Sequence, residues 1–243
     1  MTQPEVLVSP DATTLATETA ARTYEVLASA IGTRGEAHLV VTGGGILEQV
    51  LTALADVPGG FDWGRVHVWW GDERWVPAGT ADRNDGPARR LLFDAVAAQL
   101  HVMPAEGDFT TPEAGAAAYA AELAAAAPVG ALVPAFDVIL LGVGPDAHCA
   151  SLFPGHPGTE VRDASVIAVH DSPKPPPTRL SLTFPTLDAA GQVWFVASGS
   201  GKADAVAKAL SSDDPVAVPA SAPRGRDRTL WLVDQDVVAQ VSH

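Results

Sequence analysis

Phe136 to Pro157, FDVILLGVGPDAHCASLFPGHP, is the stretch on which the reading of the fold turns. Val138-Ile139-Leu140-Leu141 is a continuous apolar run of strand length, and a run without alternation suits the centre of a parallel sheet covered on both faces. Gly142 and Gly144 break it at once. Glycine weakens regular elements but admits positive φ and close ligand approach, so a GVGP turn straight after a buried strand reads as a loop built for a site. Asp146 and His148 follow that break, at the carboxyl end of the strand, where open α/β sheets place their ligands. Histidine titrates near neutral pH, and one in a polar loop beside a carboxylate can act as a general base at pH 7. A dinucleotide site is set aside, because the GxGxxG spacing ends on Ala147 and Pro145 stands where a backbone donor would help.

The flanking chain repeats this pattern of strand, turn and helix. Val6 to Val8 reads as a first strand and Asp11 to Ile31 as a helix with Gly32 at its end. His38 to Val41 is a second buried strand that runs into Gly43-Gly44-Gly45 and the helical segment Ile46 to Ala55. A glycine turn at a helix amino terminus is a ready anion site, since free backbone N–H groups and the helix dipole point at it. A third strand, Arg65 to Trp70, leaves through Gly71-Asp72-Glu73-Arg74-Trp75-Val76-Pro77. There the planar fork of Arg74 matches a phosphate or carboxylate, and Asp72 and Glu73 either hold it or bond sugar hydroxyls. Asn84-Asp85-Gly86-Pro87 supplies cap residues and an N1 proline for a helix from Ala88 to Ala98, with Asn84 free to do more than cap.

Further on, Thr111-Pro112-Glu113 starts an alanine-rich helix to Ala127 that carries no group capable of chemistry. Val166 to Val169 reads as a strand, and Lys174-Pro175-Pro176-Pro177-Thr178 as a stiff arm that delivers Arg179. Leu180 to Thr183 alternates apolar and polar residues, and Phe184 to Ala190 reads as a short helix. Val193 to Val196 is another strand, followed by Ser198-Gly199-Ser200-Gly201-Lys202 and a helix to Leu210. The full P-loop spacing is absent, so Lys202 is either a point charge for a phosphate at a helix start or a solvated surface lysine. Leu230 to Val233 closes the strands and Gln235 to Val241 the helices. The expected fold is a single α/β domain over 1–243, Rossmann-like, with a mostly parallel sheet and helices on both faces.

Composition narrows the functions open to such a domain. The chain has 243 residues and 47% hydrophobic content, enough to bury a substantial core. Its net charge of -14 argues against a broad nucleic-acid surface, which needs clustered Lys and Arg, yet leaves room for an anionic ligand where a few cations converge. Cys149 is the only cysteine, so there is no internal disulfide framework. No basic n-region opens the chain, and no apolar stretch approaches the roughly 18 residues of a membrane span, which points to the cytoplasm.

Thr42-Gly43-Gly44-Gly45, Trp70-Gly71-Asp72-Glu73-Arg74, Asn84, the Gly142 to Gly155 segment, KPPPTRLSLT and Gly201-Lys202 occur in the order seen in 6-phosphogluconolactonases, and the chain resembles that family over most of its length. GDER and GVGPDAHCASLFPG are the most specific matches. The resemblance implies hydrolysis of 6-phospho-D-glucono-1,5-lactone in the pentose phosphate pathway, with no metal and no organic cofactor, on the fold shared with glucosamine-6-phosphate deaminases. The protein is expected to act as a monomer or weak homodimer on a small phosphosugar lactone, without nucleic-acid or membrane partners. Ala147 stands where many members carry glycine, which weighs against positive φ there, and Cys149 where many carry threonine or isoleucine.

Lactone hydrolysis needs a base for water and stabilisation of a tetrahedral oxyanion. His148 is the expected base. Asp146 either orients the imidazole or binds substrate hydroxyls, since neighbours two apart seldom bond ring to carboxylate. Arg74, Arg179, Lys202 and the amides of Gly43 to Gly45 are candidates for the 6-phosphate and the oxyanion, with Asp72 and Asn84 nearby in the motif order. A ring-opening deaminase or isomerase would use similar residues, but SLFPG after the histidine favours the lactonase.

Overall fold

Consecutive strand residues point to opposite faces of a sheet. Trp69 and Trp70 are consecutive and both fully buried, so their sheet is covered on both sides. The structure, a computed structural model, describes residues 2–239. Its main sheet has seven parallel strands: β1 (Pro4–Ser9), β2 (Ala37–Val41), β3 (Val66–Trp70), β5 (Gln99–His101), β6 (Val138–Leu141), β9 (Gln192–Ala197) and β10 (Arg228–Asp234). They run in the order β1-β10-β9-β6-β2-β3-β5. Every residue of β2 and of β6 is buried, which fits their unbroken apolar runs.

This order reverses between β2 and β6. After β1, which lies at the edge beside β10, β3 and β5 build outward from β2 and later β9 and β10 from β6, so β2 and β6 end side by side at the point where connections leave in opposite directions. Both end in glycine turns, Gly43 to Gly45 and Gly142 to Gly144. Helices α1 (Ala12–Arg34), α2 (Gly45–Ala55), α4 (Pro112–Ala125) and α6 (Ala203–Ser211) are the long ones; α3 (Asp85–Ala88), α5 (Phe184–Leu187) and α7 (Gln235–Val238) are single turns. Among the described residues no helix is long and apolar enough to cross a membrane.

A second sheet went unseen in the sequence. β4 (Asp72–Arg74), β8 (Arg179–Leu182) and β7 (Val166–Val169) form an antiparallel group in the order β4-β8-β7. The GDER exit is therefore a strand, and its register sets Arg74 directly opposite Arg179 and Asp72 opposite Ser181. Directly opposed residues share a face of the sheet, so the two guanidiniums are brought together against their mutual repulsion.

Three expected boundaries are corrected. Helix α1 does not stop at Gly32 but runs to Arg34, because Gly35, at φ +87°, is the left-handed cap and donates to the carbonyl of Ile31 at 2.9 Å. The helix expected from Ala88 to Ala98 is replaced by α3, a π-turn over Arg89–Phe93, and strand β5. Pro87 consequently lies inside α3 rather than opening a helix. The last helix is described to Val238, and positions 240–241 of the expected segment lie outside the described residues.

Tyr119 fastens α4 to the sheet. Its buried hydroxyl accepts from the Trp70 amide at 2.9 Å and donates to the carbonyl of His101 at 2.9 Å. Tyr119→Phe is expected to cost about 1–3 kcal/mol, because it leaves that amide buried and unpaired. Urea unfolding of the two proteins measures it, and equal midpoints would contradict the assignment.

Candidate active site

A cleft of about 470 Å³ opens at the β2/β6 switch point. It is lined by Gly43, Gly44, Gly45, Asp72, Arg74, Asn84, His148, Arg179 and Lys202, so nine of the ten expected site residues meet there. The tenth, Asp146, touches it through His148. Four cations (Arg74, Lys174, Arg179, Lys202) face two carboxylates (Asp72, Asp146), which gives an acidic protein a locally cationic cavity.

The histidine is set by a tight turn. The Gly144 amide donates to the carbonyl of His148 and the Ala147 amide to the carbonyl of Gly144, both at 2.9 Å. Ala147, fully buried, is at φ +64°. The expectation drawn from its missing glycine is thus corrected: alanine takes the left-handed conformation here, at a cost of about 1–2 kcal/mol that the closed turn offsets. That backbone folds residue 148 back over residue 146, and His148 Nδ1 lies 2.5 Å from Asp146 Oδ1. Ring and carboxylate do bond directly, so Asp146 orients the imidazole. Phe153 packs on the ring at 4.7 Å between centroids. Burial holds the imidazole below its ordinary value, outweighing the upward pull of Asp146. Burial works to raise Asp146, but its bond to His148 and the charges of His148 and Lys174 prevail and keep it below the usual carboxylate range.

Two glycines are required by close approach. A Cβ on Gly144 would lie 1.9 Å from His148 Nδ1, and one on Gly43 would lie 2.0 Å from Asn84 Oδ1. Asn84 caps nothing with its side chain; Nδ2 donates instead to the carbonyl of Asp72 at 3.0 Å. Asp72 accepts from Ser151 Oγ at 2.7 Å, which holds this carboxylate in place beneath the cleft. Glu73 neither holds Arg74's guanidinium nor lines the cavity. Its buried carboxylate accepts from the amides of Arg74, Asn84 and Asp85 and sits 3.7 Å from Arg83 Nη2, so it fixes the 83–85 loop. Burial pushes it up to about 7 against Arg83 and those amides.

The cations differ in what already holds them. Arg74 Nη1 donates to the carbonyl of Asp82, while its buried Nε has no partner. Arg179, expected to be carried by the proline arm, is also bonded back to it: Nε and Nη2 donate to the carbonyls of Pro176, Pro175 and Lys174 at 2.8–3.1 Å. Burial, and then the charge of Arg74, lowers Arg179 from the ordinary arginine value. Lys202 Nζ donates to the carbonyl of Val143 at 2.7 Å and is lowered by burial and then by Lys174. The amino terminus of α2 has no side-chain cap and opens on Gly44, at φ +134°. Among the described residues no group of three or more His, Cys, Asp or Glu could hold a metal ion.

A family model described as glucosamine-6-phosphate isomerases/6-phosphogluconolactonase matches residues 10–231. The chain belongs to the glucosamine-6-phosphate isomerase/6-phosphogluconolactonase family. Within this family, a 6-phosphogluconolactonase of Streptomyces coelicolor is 47% identical, across 98% of this chain and 95% of the relative. The crystal structure of a 6-phosphogluconolactonase from Shewanella baltica superposes with a TM-score of 0.83 at 26% identity, covering 95% of this chain and 97% of that one. A monomeric glucosamine-6-phosphate deaminase shares the fold at a TM-score of 0.77 and 18% identity, with 97% of this chain and 99% of that one aligned. At that distance the likeness speaks to the fold of the family alone.

Lys174 is the charged cleft residue that reasoning from sequence missed. It precedes the proline run whose stiffness was credited to Arg179, and a lysine opening a rigid arm between two site motifs was the available signal. Ser151, which holds Asp72, gave no sign beyond its place two residues before Phe153.

Proposed function

We propose that the chain hydrolyses 6-phospho-D-glucono-1,5-lactone to 6-phospho-D-gluconate, with His148 as general base. The observation that carries this reading is the imidazole at the switch-point cleft, with Nδ1 tied to Asp146 and, among the described residues, no hydrogen-bond partner on Nε2. Nε2 takes a proton from water as its oxygen attacks the lactone carbonyl carbon. The resulting oxyanion collapses, the ring C–O bond breaks, and the imidazolium returns the proton to the departing ring oxygen. Arg74, Arg179, Lys202 and the amides of Gly43 to Gly45 supply positive potential for the 6-phosphate and the developing oxyanion. Asp72 and Asn84 are within the same cleft for the sugar hydroxyls.

Neither Cys149 nor Ser151 competes as a covalent nucleophile. Cys149 is fully buried and burial pushes its thiol up, so the thiolate is disfavoured. Ser151 is buried too, with its hydroxyl committed to Asp72.

The pH profile tests the base. Burial disfavours the imidazolium, so the neutral ring persists below the ordinary histidine value of about 6.5. kcat/KM, corrected for spontaneous opening, is expected to stay level through neutral pH and to fall along a one-proton limb below about 6.5. A limb above that value, or none, would contradict a buried neutral base.

A further inference from the structure

Lys174 has no part in the reaction as described, yet its ammonium stands at the catalytic pair. Nζ is 3.3 Å from Asp146 Oδ1 and 3.2 Å from His148 Nδ1, so one carboxylate oxygen accepts from both the ammonium and the imidazole. The backbone that brings it there is fastened on several sides. The Lys174 carbonyl accepts from Arg179 Nη2 at 3.0 Å and from Ser172 Oγ at 3.1 Å, and the Ser172 amide closes the turn onto the carbonyl of Pro177 at 2.9 Å.

This placement answers a conflict within the pair. A carboxylate is the natural partner to orient an imidazole, but the same negative charge favours the imidazolium, which cannot act as a base. Asp146 and, at longer range, Asp72 on β4 both favour protonation of His148, while Phe153 contributes only an apolar surface. Lys174 is the cation that opposes them at the ring itself; Lys202, bound to the carbonyl of Val143, faces Lys174 and Asp146.

We propose that Lys174 is a positioning residue for this hydrolysis: by sharing Asp146 Oδ1 with the imidazole, its ammonium offsets the charge of the orienting carboxylate, so that His148 is held in place without being protonated. The inference rests on His148 being the base. It assigns a division of labour in which Asp146 fixes the direction of the ring, while Lys174 adds to burial in opposing its protonation. It also gives Arg179 a second consequence, since the bonds from its guanidinium to the arm hold Lys174 at the pair.

The test follows the His148 imidazole by NMR titration in the wild type, Lys174→Met and Lys174→Arg, alongside kcat and KM across the same pH range. His148 is identified by the signal that His148→Ala removes. Lys174→Met is expected to raise the His148 midpoint by about one pH unit and to carry the acid limb of kcat/KM upward with it, a loss of about tenfold at a fixed pH on the limb. Lys174→Arg is expected to restore both. An unmoved midpoint in a folded Lys174→Met protein would overturn the proposal, and a raised KM for the phosphorylated lactone with no change for glucono-1,5-lactone would reassign Lys174 to the phosphate. If His148→Ala leaves kcat intact, the base reading fails by itself; the midpoint still reports whether Lys174 controls the charge of the ring.

Discussion

Replacing His148 by alanine is expected to lower kcat by a factor on the order of 10² to 10⁴ with KM changed little. In the proposed reaction the imidazole acts on water rather than on the phosphosugar, and the cations proposed to bind the substrate sit on other elements: Arg74 and Arg179 on the small sheet, Lys202 at the start of α6. Their positions do not depend on the ring. The variant is expected to keep its fold, because the ammonium of Lys174, 3.3 Å from Asp146, leaves that carboxylate a partner. A steady-state comparison at neutral pH, with thermal unfolding to confirm the fold, reads this out. An unchanged kcat would remove His148 from the role of base.

Gly144→Ala is expected to reach a similar end without replacing a titratable group. Its Cβ would stand 1.9 Å from His148 Nδ1, 2.0 Å from Cε1 and 2.5 Å from Asp146 Oδ1. No rearrangement of one flexible tip relieves three contacts to two residues that are bonded to each other. Either the ring swings out of the cleft or the turn closed by the Gly144 and Ala147 amides opens. A displacement of about 1 Å at the base costs on the order of 10²-fold in kcat. Activity and the His148 signal in a titration measure it together, and a folded variant with the wild-type rate would show that the turn does not set the base.

Much of the sheet was legible because burial on both faces leaves unbroken apolar runs, as in Val138 to Leu141, and because glycine marks the exits of β2 and β6. His148 was legible through its position after the exit of β6, Arg74 and Lys202 through theirs after β3 and β9, and Arg179 through the proline run before it. What escaped notice lacked such a mark. β4 is three residues of Asp, Glu and Arg, and nothing local records that it pairs with a strand a hundred residues on to bring Arg74 opposite Arg179. β5, Gln99–His101, has no apolar run. The bond from Asp146 to His148 depends on a left-handed residue, and alanine at 147 hides it where glycine would have announced it. Gly32 and Gly35 are both candidates to end α1, and only the backbone shows which one takes the left-handed cap.

The most direct test generates 6-phosphogluconolactone in situ and follows its disappearance with the purified protein against the spontaneous rate. The account predicts a clear acceleration over that blank, lost in His148→Ala. No acceleration by the wild-type protein, with release of ammonia from glucosamine 6-phosphate instead, would contradict it and assign the cleft to the other reaction of the family.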